Sequence, residues 1–228
     1  MLRMLPKAPG VGLVGLLWCF TGGLSAATLQ GEIVDAEGQP LGNAVISLKG
    51  PAGSAPAPDK GVMDQREKQF SPYVLAVRTG TAVTFPNSDN IRHHVYSFSP
   101  AKRFELRLYQ GTPAEPVVFD KPGVVVLGCN IHDWMLGYVY ITDDPFFAVS
   151  DDAGRLSLDL PPGRYGVSLW HPQVANMLPV AAGEIDIPAA GQRQRFPLTL
   201  QAPPAVQPHA PAGKGFGDAF EKAAGEAQ

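Results

Sequence analysis

Cysteine is scarce in this chain, with two residues among 228, Cys19 and Cys129. Cys19 lies in the predicted leader described below, so one thiol remains after cleavage and an internal disulfide is excluded. Histidine is also scarce, with five residues, which is too few for a site built from several histidine clusters. The formal charge of −3 lacks the basic excess that nucleic-acid binding requires. We therefore predict no nucleic-acid partner.

The N-terminal segment has the order of a secretory signal peptide. Arg3 and Lys7 precede an apolar run over residues 11–20, and small residues follow as far as Ala27. The run is shorter than the roughly 20 apolar residues that span a bilayer. We predict a signal peptide over residues 1–27, cleavage near Ala27, and a periplasmic protein without a membrane anchor.

Helical periodicity is rare, whereas turn residues are abundant. The 23 prolines and 25 glycines separate short β-branched and aromatic runs. This pattern is typical of strands joined by turns, so we predict an all-β protein.

The densest group of candidate metal ligands is the loop C-x2-H-x2-M, formed by Cys129, His132 and Met135. Apolar runs at 124–127 and 138–141 flank this loop and are predicted to be buried strands. A lone cysteine or methionine is more often structural than ligating, but three such residues in one loop favour a metal site. A thiolate, an imidazole and a thioether suit copper that changes oxidation state. A single exported thiol would also be open to oxidation unless a metal occupies it.

A further ligand is expected from residues 87–96, which contain two adjacent histidines. Strand alternation places His93 and Val95 on one face and His94 on the other. We therefore predict that His93 points into the core and that His94 faces outward or bonds a neighbouring loop. One distant histidine plus a Cys/His/Met loop is the pattern of a His2Cys copper site with a weak axial Met.

Residues 62–145 resemble the cupredoxins, the plastocyanin- and amicyanin-like blue copper proteins. The resemblance rests on V-T-F-P-N-S-D at 83–89, H-x-V-Y-S at 93–97, K-P-G at 121–123 and the C-x2-H-x2-M loop. It implies a Greek-key β-sandwich and one type 1 copper. The ligands that it implies are His93, Cys129, His132 and Met135.

One position departs from the cupredoxin pattern. In these relatives an asparagine follows the first histidine ligand and helps to tie the two ligand loops together. His94 stands there in this chain, so His94 would have to supply the tether.

Two separated segments resemble the halves of a carboxypeptidase-regulatory or transthyretin-like β-sandwich. They are G-x-I-V-D-x-x-G-x-P-L-x-N-A-V-I at 31–46 and D-x-x-G-R-x-x-x-x-x-P-P-G-x-Y at 151–165. The resemblance implies that the copper domain is inserted between these halves, which is easy where the ends of a loop lie close together. We expect the two halves to pack on each other and not on the copper domain, which would then fold alone.

The predicted fold is thus all-β, with a Greek-key cupredoxin β-sandwich nested in a second small β-sandwich, a signal peptide and a flexible C-terminal tail. The predicted ranges are 1–27 for the signal peptide, 28–60 for the first half and a linker, 62–145 for the copper domain, 146–200 for the second half and 201–228 for a disordered tail.

A type 1 copper implies transfer of single electrons between redox partner proteins, whose identity the sequence does not give. In cupredoxins the loop histidine has an exposed edge, which implies His132 as the electron port. Similar exported chains carry a methylamine-utilisation label, so a link to amine oxidation is a hypothesis.

Other functions remain open. An exported copper carrier would use the same ligands, and release of Cu(I) to an acceptor would separate it from an electron carrier. A scaffold with a decayed site is disfavoured by the complete ligand set. No catalytic constellation can be placed, and His171 and His209 lack partner ligands, so we predict no enzyme activity.

Overall fold

The computed structural model describes residues 26–50 and 60–201. Most of the predicted signal peptide, most of the predicted linker and all of the predicted tail except Gln201 lie outside these residues. Among the described residues, no helix has the length and apolar character needed to cross a membrane. Their regular structure consists of seventeen strands and one short 3-10 turn at Ala175–Met177, so the all-β prediction is confirmed.

The strands form four sheets and a separate hairpin. In chain order they are β1 Ala27–Val34, β2 Val45–Lys49, β3 Gly61–Val62, β4 Asp64–Arg66, β5 Gln69–Ser71, β6 Val74–Arg78, β7 Thr81–Thr84, β8 His93–Ser97, β9 Phe104–Tyr109, β10 Val117–Phe119, β11 Gly123–Gly128, β12 Leu136–Thr142, β13 Phe146–Val149, β14 Arg155–Leu160, β15 Gly163–Trp170, β16 Val180–Ile187 and β17 Gln192–Pro197. Sheet I has the order β10-β7-β3, sheet II β6-β12-β11-β8-β9, sheet III β13-β2-β15-β16 and sheet IV β14-β1-β17, while β4 pairs with β5.

Sheets I and II enclose the apolar core that supports the Cys129–Met135 loop. Strand alternation sends Val125 and Leu127 of β11 into this core, where both are fully buried. Phe85 and Phe119, at the ends of sheet I strands, lie in the same cluster. The chain crosses between the two sheets, since β6 lies in sheet II and β7 in sheet I. Each sheet contains one parallel pair, β6 with β12 and β3 with β7.

The first two strands belong with the last five. Strand β1 pairs with β14 and β17, and β2 lies between β13 and β15. The chain therefore begins sheets III and IV, leaves to form sheets I and II, and returns at β13. This is the nested order of the predicted fold. The transthyretin-like family and the domain limits remain predictions.

The expectation that the two sandwiches do not pack on each other is wrong. The ring of Trp170 lies 5.8 Å from that of Tyr138 and 5.6 Å from that of Tyr140, measured between centroids. The hydroxyl oxygen of Ser47 lies 3.4 Å from that of Tyr140. Sheets II and III thus share a core because β12 and β2 bury side chains on both of their faces.

Candidate metal centre

Three of the predicted ligands converge where β8 and β11 meet. Cys129 directly follows β11, His93 begins β8, and the two strands pair at Gly128 and Tyr96. Nδ1 of His93 lies 4.0 Å from the Cys129 sulfur. Nδ1 of His132, in the loop after β11, lies 3.8 Å from the same sulfur. The three ligand atoms all lie within 4.8 Å of one another.

This arrangement fits one metal ion. Bonds of about 2.0–2.3 Å in a trigonal arrangement separate ligand atoms by roughly 3.5–3.8 Å, so a small inward movement would complete the coordination. Cys129 is 2% exposed and His93 is fully buried, whereas His132 is partly exposed. A buried thiol between two imidazoles is a donor set that suits copper.

Met135 lies in the apolar cluster that contains Cys129 and is 1% exposed. Its backbone N–H donates to the carbonyl of His132 at 2.9 Å, which closes a tight turn in the loop. The turn brings Met135 close to His132 along the chain, but its role as the axial ligand remains a prediction.

A carboxylate orients His93. Oδ2 of Asp89 lies 2.7 Å from Nε2 of His93, which leaves Nδ1 directed at the thiol. Burial alone would raise the pKa of Asp89, but hydrogen bonds from the Lys68 and Glu67 backbone and from His93 hold it below its usual range. An ionised carboxylate on the far nitrogen of a ligand histidine fixes the ring and raises its basicity.

Asn87 fixes the loop that carries Asp89. Its side-chain amide donates to the carbonyls of Ile91 at 2.8 Å and Tyr109 at 2.9 Å. Its side-chain oxygen accepts the N–H of Asp89 at 3.0 Å. These bonds close the turn before β8, so His93 enters its strand from a defined direction.

The prediction for His94 is wrong in part. His94 is 6% exposed, so it does not face outward. The predicted alternation of faces holds, because the ring of His94 lies 5.6 Å from that of Tyr96, on the face opposite to Val95. Nε2 of His94 lies 3.0 Å from Oε1 of Glu105 on β9. His94 therefore bonds a strand and does not contribute a tether to the Cys129–Met135 loop.

The partly exposed edge of the site is formed around His132. Its ring packs against Trp134, with centroids 5.1 Å apart. Burial, reinforced by the nearby charges of His93 and Lys68, lowers the pKa of His132. The neutral imidazole that this favours is the form that binds metal. Ile131, its neighbour in the chain, is 47% exposed.

Sequence reasoning did not assign two features of this site, the carboxylate of Asp89 and the hairpin β4–β5 beside it. The spacing of Asp89 four residues before His93 was the available signal. The hairpin offered no local signal, because its contacts with Asp89 join residues 21 and 22 positions apart.

No family model matches the chain, and no curated protein matches it. Solved structures that resemble it include a purple cupredoxin from Nitrosopumilus maritimus, 23% identical with a TM-score of 0.33, covering 36% of this chain and 99% of that one. A variant of amicyanin in the Cu(I) form is 18% identical with a TM-score of 0.33, covering 42% and 98%. A copper-containing nitrite reductase from Thermus scotoductus is 22% identical with a TM-score of 0.35, covering 48% of this chain and 28% of its own. These likenesses concern the fold of part of the chain.

Proposed function

We propose that this chain is an exported type 1 copper protein that transfers single electrons between periplasmic redox partners. The observation that carries the proposal is the buried Cys129 thiol with Nδ1 of two histidines at 3.8 and 4.0 Å. When bound, copper would supply a Cu(II)/Cu(I) couple. The chain binds the metal through these side chains, orients the imidazoles and excludes water from the thiolate.

The supports of the ligands favour electron transfer. A site that cycles with little rearrangement needs ligands held in one geometry. Cys129 is anchored at the end of a central strand of sheet II, and His93 is held by Asp89. The partly exposed His132, with Ile131 beside it, gives an edge through which an electron could pass to a docked partner.

Copper carriage is the competing function. A carrier must hand its metal to an acceptor, which is easier when the ligands are accessible. Full burial of His93 and near-full burial of Cys129 favour retention of the metal. The periplasmic location, a link to amine oxidation and the identity of the redox partners belong to the same proposal, and no nucleic acid or membrane anchor enters it.

The proposal is tested by titrating the metal-free protein with Cu(II). We expect one copper per chain and an intense visible band, because a short Cu(II)–thiolate bond gives strong charge transfer. Cys129→Ala should lose the band, whereas His171→Gln should keep it. A band that survives in Cys129→Ala would refute the assignment. Copper retained through repeated reduction and oxidation supports electron transfer, and loss of Cu(I) to a chelating acceptor supports carriage.

A further inference from the structure

The hairpin β4–β5 has a turn whose conformation is unfavourable for its own residues. Glu67 and Lys68 at its tip have φ values of 54° and 58°. Tight hairpin turns with two left-handed residues normally use Asn-Gly or a similar pair. Neither residue here is of that kind, so contacts outside the turn must stabilise it.

Asp89 provides these contacts. Its Oδ1 accepts the N–H of Glu67 at 2.7 Å, and its Oδ2 accepts the N–H of Lys68 at 2.9 Å. The same Oδ2 lies 2.7 Å from Nε2 of His93. One carboxylate therefore joins the tip of the hairpin to a candidate metal ligand.

Strand β5 of the hairpin packs against β12, the strand that follows the Cys129–Met135 loop. A Cβ atom placed on Gly137 would lie 2.7 Å from Cβ of Phe70, so these residues touch only because position 137 is glycine. Phe70 is 2% exposed and lies in the apolar cluster with Cys129 and Met135. Gly137 follows Met135 by two residues, so β5 is fixed against the strand that leaves the loop.

Among the described residues, direct hydrogen bonding between β8 and β11, the strands next to the two ligand segments, is limited. Strands β8 and β11 pair at the single position of Gly128 and Tyr96. His94, the residue after His93, bonds Glu105 on β9 and not the Cys129–Met135 loop. The hairpin thus contacts both segments where a direct tether between them is weak.

We propose that the hairpin β4–β5 is a clamp that holds the His93 segment and the Cys129–Met135 loop in register for the metal, with Asp89 as its positioning residue. The proposal rests on the proposed function in that both require a metal at this site. It adds that metal affinity depends on a hairpin that supplies no ligand.

The first experiment compares wild type with Asp89→Ala, Asp89→Asn and the control Asp151→Ala. Asp151 also accepts two backbone N–H groups in a turn, those of Ala153 and Arg155, but in a turn of the second sandwich. Affinity is measured by chelator competition with Cu(II) and, in parallel, with Zn²⁺, which takes the same ligand types. Amide exchange is measured at Glu67 and Lys68 in the metal-free chain.

We expect Asp89→Ala to weaken metal binding about 10–100-fold, the range for lost partners of ligand histidines, and to speed exchange at both amides. Asp89→Asn keeps one side-chain oxygen as acceptor, so its metal affinity and its exchange rates should lie between those of the wild type and of Asp89→Ala. Asp151→Ala should change neither quantity. Unchanged affinity and exchange in Asp89→Ala would overturn the clamp.

A second comparison separates the hairpin from the direct bond to His93. Glu67→Asn with Lys68→Gly gives a turn that needs no outside support. Added to Asp89→Ala, it should restore exchange protection of the tip and recover part of the lost affinity. Restored protection with no recovered affinity would show that Asp89 acts on His93 alone, and the clamp would be refuted.

The two proposals fail in different ways. A wild type that binds Zn²⁺ but gives no copper band would refute type 1 copper and leave the clamp to be decided by the Zn²⁺ affinities. A wild type with the copper band whose affinity is unaffected by Asp89→Ala would refute the clamp alone.

Discussion

Acid should destabilise this protein through His171, which the structure places in a buried structural role. His171 follows β15 and is 7% exposed. Its Nδ1 accepts the N–H of Gln173 at 3.2 Å. Burial lowers its pKa to about 4 from 6.5, although a hydrogen bond with the Gly42 backbone acts in the opposite direction. The neutral ring therefore connects the end of β15 to the turn between β1 and β2.

The magnitude follows from this difference in pKa. Between about pH 6.5 and 4 the unfolded chain binds a proton at His171 and the folded chain does not. The stability contribution is therefore fully present above about pH 6.5 and is lost as the pH falls toward 4. At 1.36 kcal/mol per pKa unit, the loss amounts to about 3 kcal/mol.

The assay is urea unfolding of the metal-free protein at several pH values, for wild type and for His171→Gln. Carboxylates and His132 also titrate, but they do so in both proteins, so the difference between the two curves isolates His171. We expect the wild type to lose about 3 kcal/mol more than the variant between pH 7 and 4. Parallel curves would refute the buried neutral state of His171.

The fold class and the closeness of Cys129 to His132 could be predicted because their signals are local. The Cys129, His132 and Met135 spacing lies within one loop, and the apolar runs on either side of it become the paired strands β11 and β12. Val95 also points to the core, as period two predicts. Such features depend on neighbours in sequence, so one chain is enough to reveal them.

The features that were missed depend on register and distant contacts. His94 is buried because Tyr96 and Glu105 cover its face of sheet II, and nothing in residues 93–97 shows that β9 will bring Glu105 there. The continuous apolar pattern of β12 indicated burial on both faces, but the identity of the second cover, Trp170 and its sheet, comes from a segment about thirty residues away. In the sequence Asp89 has the surroundings of an ordinary turn residue, and its contacts with Glu67 and Lys68 exist only in the fold.

The remaining predictions concern the axial ligand, the adjacent histidines and the shared core. Met135→Leu should keep the visible band and raise the reduction potential in voltammetry, because it removes a donor that favours Cu(II); an unchanged potential would exclude Met135 as a ligand. His93→Ala should lose the band or require added imidazole to show it, whereas His94→Ala should keep it; the reverse result in absorption spectra would place the metal on His94. Trp170→Ala should cost about 3–5 kcal/mol of unfolding free energy, the range for removing a buried large aromatic side chain, while Phe98→Ala, at 76% exposure, should stay within about 0.5 kcal/mol. Because Trp170 belongs to sheet III but packs on sheet II, its loss should lower the stability of both sandwiches and shift the near-ultraviolet signal and the copper band together during unfolding. In Trp170→Ala, the copper band could instead disappear at the wild-type urea concentration while the rest of the chain unfolds earlier. That result would show that the two sandwiches unfold independently and that the shared core does not stabilise the metal centre.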